Sequence, residues 1–202
     1  MAPDAPQDPE VFARIAPLES VTIMFYDDLK RSTGSFSPST LIGQGGFGGV
    51  FKAASLKIGA RTVPAAIKRL DADSMQGQRE FLAEIQLLGG CRSAFLLPLL
   101  GFSADQGSGA GDTPGAVCLV FPLMTGGSLQ DRLFPDSEEA RHRYKILTGH
   151  EGRFEVLSWL DRLHICVSCL KGLAFLHSSD ASNSRPVFFH RDLKPQNILL
   201  DG

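Results

Sequence analysis

The run Leu41-Ile-Gly43-Gln-Gly45-Gly-Phe-Gly48-Gly-Val50 carries the pattern G-x-G-x-x-G-x-V, and the residues after its third glycine decide between two folds. Glycines at this spacing let backbone N–H groups come close to phosphate oxygens, and they allow positive φ. The same glycines open dinucleotide-binding folds, but there a helix must begin directly after the third one. Here that position leads into Gly49-Val50-Phe51-Lys52-Ala53, with no helical start and with β-branched and aromatic content. A strand on each side of the glycines predicts a hairpin lying over a ligand. An ordinary glycine-rich turn is the alternative that this stretch alone leaves open.

Working outward, the chain reads as short strands first and helices later. Leu41–Gln44 and Gly49–Ala54 flank the glycines, and Thr62–Leu70 comes after a Lys57-Ile-Gly59 turn, with Pro64 suited to an edge or a strand start. Residues 74–88 predict a helix with Phe81, Ile85 and Leu88 on one face, stopped by Gly89-Gly90. Leu96–Phe102 and Val117–Phe121 read as buried strands separated by a Gly/Ser/Asp/Pro-rich surface loop, Ser103–Ala116. A second polar insertion, Pro135–Arg153, has few apolar residues and reads as loop. After it, Leu160, Leu163, Val167, Leu170 and Ala174 repeat at helical spacing over residues 158–177, behind a Ser158…Asp161 capping box. Residues 1–20, with prolines and acidic residues but little periodicity, read as a loosely ordered leader with a short element near Val11–Ile15.

Composition excludes several classes. At 202 residues, 43% hydrophobic and 21% charged, the chain is globular and needs no metal or disulfide staple. Twenty Lys plus Arg against 22 Asp plus Glu give a net charge of −2, which argues against a nucleic-acid partner. Of the four cysteines, Cys166 and Cys169 form a lone C-x-x-C, read as two small thiols one turn apart on a helix. No apolar run approaches the roughly 20 residues that span a bilayer. The N-terminus does not read as a secretory signal. No membrane span and a cytoplasmic location are therefore expected.

Two charged residues stand out on the predicted elements. In Ala65-Ala66-Ile67-Lys68, period 2 places Ala66 and Lys68 on one face, which suits a flat ring over the alanine and a phosphate at the ammonium. A strand lysine is also commonly just solvated. Sixteen residues on, Glu84 borders an apolar helix stripe; turned inward it needs a partner, for which Lys68 is the natural candidate, and turned outward it is an ordinary flank residue.

A third motif, His190-Arg-Asp192-Leu-Lys194-Pro-Gln-Asn197, lies between the apolar arms Val187–Phe189 and Ile198–Leu200, downstream of the first two. It agrees with H-R-D-L-x-x-x-N at every fixed position. With these motifs in this order, residues 38–202 resemble the eukaryotic protein kinase family. Asp27-Asp-Leu-Lys30, Phe36-Ser-Pro-Ser39 and Met124-Thr-Gly-Gly-Ser128-Leu look like its plant receptor-like and Pelle-type branch, and Lys194-Pro195 is similar to the serine/threonine kinases.

The resemblance implies an α+β fold: a small lobe with a five-stranded antiparallel sheet and one helix, then the first helical part of a large lobe. The implied layout is an N-terminal extension at 1–37, partly disordered, a small lobe at 38–121, and hinge plus incomplete large lobe at 122–202. It implies ATP and Mg2+, and transfer of phosphate to Ser/Thr of a protein substrate. The backbone of Gly43, Gln44, Gly45, Gly46, Phe47, Gly48 and Gly49 would cover the phosphates, with Lys68, held by Glu84, on the α- and β-phosphates. Ile42, Val50, Ala66 and Leu199 would enclose adenine, Phe121 would be the gatekeeper, and Pro122 and Met124 the hinge. Asp192 would take the proton of the substrate hydroxyl, Lys194 would steady the phosphoryl group, and Asn197 would hold a magnesium ion. His190 and Arg191 would be structural.

No D-F-G or A-P-E occurs in the 202 residues. The chain is therefore expected to be truncated ahead of the D-F-G segment and to transfer phosphate poorly by itself. A nucleotide- or partner-binding kinase fragment without catalysis is the alternative reading.

Overall fold

The computed structural model describes residues 21–45, 48–70, 81, 84–85, 87–89, 93–103, 117–178 and 187–201. The fold is α+β and divides into two compact units, one of Met1–Cys91 with Pro98–Leu123, the other of Arg92–Leu97 with Met124–Gly202.

The first unit holds β1 (Thr22–Ile23), α1 (Tyr26–Ser32), a 3-10 turn at Pro38–Thr40, β2 (Leu41–Gly45), β3 (Gly48–Ile58), β4 (Arg61–Leu70), β5 (Gly101–Ser103) and β6 (Val117–Pro122). The sheet order is β1-β5-β6-β4-β3-β2. Strands β2 to β6 are joined by antiparallel pairs, which is the expected five-stranded sheet. The sixth strand, β1, runs parallel to β5 and was not foreseen. It comes, with α1, from residues read as an extension. The reason is packing: Tyr26 and Leu29, three apart on α1, are fully buried and join Met24 and Phe36 in one core with Phe51, Ala53, Leu56, Ala65, Ile67, Cys118 and Val120. The strand residues of that core alternate along β3, β4 and β6, so they line a single face of the sheet.

The opposite face is covered by a helical segment that includes Phe81, Glu84, Ile85, Leu87 and Leu88. Phe81 and Ile85, one turn apart, are buried, and Phe81 meets Phe102 edge-on with centroids 6.0 Å apart. The start of the predicted 74–88 helix lies outside the described residues. So do the leader at 1–20, the loop through 104–116, Gly46, Phe47 and Cys91.

Two strand boundaries need correction. The run Leu96–Phe102 yields only Gly101–Ser103 as strand, because Pro98 has no N–H for a ladder. Pro64 sits four residues into β4, a central strand, rather than at an edge. It is tolerated because β6 pairs with β4 only from Ala65 onward, while β3 shifts register between Ala53 and Leu56.

The second unit holds α2 (Leu129–Leu133), α3 (Glu138–Thr148), α4 (Trp159–His177) and a 3-10 turn at Pro195–Asn197. Helix α3 corrects the reading of 135–153 as loop. Ser137 caps it through Ala140 N–H, Glu138 and Glu139 sit in its first turn, and Gly149 ends it at φ +81°. Ala140 and Leu147, seven apart, are its buried stripe, and Tyr144 stacks edge-on against Phe154. Helix α4 forms behind the expected Ser158–Asp161 capping box, and Leu160, Leu163, Val167 and Leu170 stand exposed on it. Cys166 and Cys169 are free thiols there, and Cys118 is a free thiol in the core. Among the described residues no helix is long and apolar enough to cross a membrane.

Candidate functional site

The residues singled out by sequence fall into one set in each unit. In the first, β2 and β3 pair Gly43 with Val50, Gln44 with Gly49 and Gly45 with Gly48, which makes the glycine stretch a hairpin. The glycines do different jobs. A Cβ on Gly48 would lie 1.9 Å from the Arg69 carbonyl oxygen, and its φ of +134° is itself open only to glycine. A Cβ on Gly49 would strike the Phe51 ring at 2.8 Å. Gly45, by contrast, has nothing within 4 Å of its missing Cβ, so packing does not require glycine there. Ile42 sits at the register shift between Leu41 and Gly43, half-buried.

Strand β4 carries Lys68 opposite Val50 on one side and Leu119 on the other, and Ala66 opposite Lys52 and Phe121. Ala66 and Phe121 are buried, and Pro122 ends β6 opposite Ala65. The Lys68 ammonium donates to Glu84 Oε1, both side chains being about three-quarters buried. Two opposite charges in this partly dry place hold each other, and loss of one would leave the other poorly solvated.

In the second unit, residues 126–129 run against 198–200. Gly126 N–H donates to Leu200 O (3.0 Å), Leu200 N–H to Gly127 O (2.8 Å) and Leu129 N–H to Ile198 O (2.8 Å), with a bridge between Ser128 and Leu199. Met124 lies half-buried just before this pairing. Only glycine fits at 126, where a Cβ would stand 2.6 Å from Asp201 O. The loop that precedes Leu199 presents Asp192 to solvent. Lys194 Nζ is 2.9 Å from Asp192 Oδ2, and Asn197 Nδ2 donates to the same oxygen (2.9 Å) and to Asp192 O (2.8 Å). The hydrogen bond from Lys194, then that from Asn197, hold the Asp192 carboxyl below its ordinary pKa. Asp192 N–H donates to His190 O (2.9 Å), and the intervening Arg191 is left-handed at φ +59°.

One supporting pair escaped the sequence reading. Asp131, nearly fully buried, accepts from Ser128 N–H (2.8 Å) and Ser128 Oγ (2.7 Å), and Arg143 of α3 donates to its other oxygen. The S-x-x-D capping box was legible; the arginine, twelve residues on, was not. Among the described residues no three His, Cys, Asp or Glu gather into a self-sufficient metal site.

The protein kinase domain family model matches residues 36–202. The chain is 34% identical over 178 residues to the probable serine/threonine-protein kinase PBL8 of Arabidopsis thaliana, covering 87% of this chain and 36% of that protein. It is 41% identical over 176 residues to the leucine-rich repeat receptor protein kinase MSP1 of Oryza sativa subsp. japonica, covering 87% of this chain and 11% of that one. To the receptor-like cytoplasmic kinase 176 of the same species it is 32% identical over 207 residues, covering 100% of this chain and 46% of that protein. The chain thus spans less than half the length of these relatives.

Proposed function

The chain belongs to the protein kinase domain family, and from that premise we propose that it binds Mg2+·ATP and supplies the machinery that moves the γ-phosphoryl group to a Ser or Thr hydroxyl of a protein in the cytoplasm. The carrying observation is the exposed Asp192 carboxylate, gripped by Lys194 and Asn197, which hold its pKa below the ordinary value.

The residues fit the proposed groups. Asn197 spends its amide nitrogen on Asp192, so its amide oxygen, a hard neutral donor, would be the atom that holds a magnesium ion. Magnesium keeps several waters, takes one or two protein oxygens and otherwise rides on phosphates. Bound there, the ion would offset negative charge on the phosphates. Backbone N–H groups of the glycine hairpin would donate to phosphate oxygens, and Lys68, oriented by Glu84, would add a cation. Ile42, Val50 and Ala66 of the first unit would lie against adenine, and Pro122 O would meet its polar edge. In the transfer, the hydroxyl oxygen bonds to the γ-phosphorus, the bond from that phosphorus to ADP breaks, and the hydroxyl proton passes to Asp192. Lys194, beside that carboxylate, would balance charge on the moving group.

The test is a titration of the chain with a fluorescent ATP analogue and Mg2+. Saturable binding is expected, displaced by ATP and weakened about tenfold or more in Lys68→Met, as befits a hydrogen bond to a charged group of ~1.5–3 kcal/mol. A wild-type chain with no saturable binding would overturn the proposal.

A further inference from the structure

The sheet face turned away from Lys68 carries a second construction, built from residues before the glycine hairpin. Gly34, Ser35 and Phe36 are all left-handed, at φ +60°, +62° and +55°. Two of them carry a Cβ, for which this region is unfavourable. Such a run persists only where its surroundings over-determine it. Thr33, wholly buried, provides that constraint. Its Oγ1 donates to Leu29 O (2.9 Å) and accepts from Phe36 N–H (3.1 Å), while Thr40 Oγ1 donates to Thr33 O (3.1 Å) and Ser35 N–H to Lys30 O (2.7 Å).

The effect is to drive the Phe36 ring into the core. It lies 5.6 Å from the Tyr26 ring and 5.2 Å from Phe51, edge-on at 67°, with the Arg69 guanidinium carbon 4.9 Å above its centroid. Arg69 is the residue after Lys68, so the two side chains leave β4 on opposite faces. The Arg69 carbonyl is also the atom that forbids a side chain at Gly48. Phe51 comes directly after Val50, the cross-strand partner of Lys68. One ring therefore grips β4 and the return strand of the hairpin at the level of the ammonium, from behind.

We propose that Phe36 is a positioning residue for Lys68: through Arg69 and Phe51 it fixes β4 and β3 so that the ammonium meets the nucleotide phosphates. This rests on the reading of Lys68 as a phosphate contact, and it adds a role for the segment 33–36, which touches no nucleotide in that reading.

The experiment measures affinities of the 202-residue chain for Mg2+·ATP and for adenosine in wild type, Phe36→Ala, Lys68→Met and the double variant. Phe36→Leu accompanies them, since it keeps apolar bulk but removes the ring under Arg69 and so covers failure of the alanine variant to fold. The Phe36 variants should weaken Mg2+·ATP about three- to tenfold and leave adenosine unchanged. In the double variant Phe36→Ala, or Phe36→Leu in its place, should add nothing to Lys68→Met. Equal losses for both ligands, or additive losses in the double variant, would reduce Phe36 to a core residue and overturn the proposal. An Lys68→Met chain that still prefers ATP over adenosine as wild type does would instead remove the phosphate reading itself, and this proposal with it.

Discussion

Replacing Gly48 by alanine separates the glycine that builds the hairpin from the one that faces a ligand. The added Cβ would sit 1.9 Å from the Arg69 carbonyl oxygen, 3.0 Å from its carbon and 3.3 Å from Leu70 Cα, all backbone atoms that no rotamer change can move. Strand β3 must therefore retreat from β4 where Gly48 pairs with Leu70, or the residue must leave its φ of +134°. A forbidden backbone region costs about 1–3 kcal/mol, and forcing an extra methyl into packed structure costs about 1–3 kcal/mol more. A loss of roughly 3 kcal/mol lowers the melting temperature of a chain this size by about 10 °C. Gly45→Ala is the matched control. Its Cβ meets nothing within 4 Å, so its stability should stay within about 0.5 kcal/mol of wild type. Differential scanning calorimetry reads both. The binding titration should rank them the other way, with folded Gly45→Ala weakened for ATP by its new methyl. A Gly48→Ala chain that melts with wild type would refute the close approach of β3 to Arg69 on which the hairpin geometry depends.

The second unit yields three further outcomes. In Lys194→Met, Asp192 loses its largest source of stabilisation, so its carboxyl pKa should rise toward the ordinary value, read by carbon-detected NMR. Because the folded pKa is depressed, the stabilisation this group provides is present above its unfolded value and fades as pH falls through the folded one. The variant should therefore lose the charge at a higher pH than wild type, and an unchanged titration would contradict the Lys194 contact. Arg143→Met leaves the Asp131 carboxylate, whose side chain is 3% exposed, without its cation. About 3 kcal/mol of destabilisation is expected by urea unfolding, and a neutral result would mean that α3 does not brace α2. Ser137→Ala removes the cap of α3 and should cost about 1 kcal/mol, seen as faster amide exchange in 138–141; unchanged protection there would refute the cap.

The parts of this fold that could be read from sequence are those with local signatures. The glycine run, the alternation through Ala65–Lys68, the 3,4 spacing of α4 and its capping box all act over a few residues. Strand β1 has two residues, too few for any alternation, and α1 shows only Tyr26 and Leu29 as its apolar stripe. The left-handed Phe36 has no sequence mark, because nothing in Gly-Ser-Phe requires φ > 0 until Thr33 and the aromatic core impose it. Helix α3 did carry its signals, Ser137 ahead of two glutamates and Gly149 behind, but they were outweighed by a surface on which only Ala140 and Leu147 are buried. The Lys68–Glu84 pair was inferable because a carboxylate on an apolar flank needs a partner. The Arg143–Asp131 pair was not, since each is unremarkable in its own segment and only the fold of 135–153 brings them together.

If Lys68 and its glycine hairpin hold the phosphates of a nucleotide, a metal ion carried by those phosphates must come close to them. Adding Mn2+·ATP in place of the magnesium complex tests it directly, because the paramagnetic ion broadens the amide signals of every residue near it. Loss of signal from Gly43–Val50 and Lys68, reversed by excess Mg2+·ATP, is the predicted result. Broadening that leaves Gly43–Val50 and Lys68 untouched would contradict it.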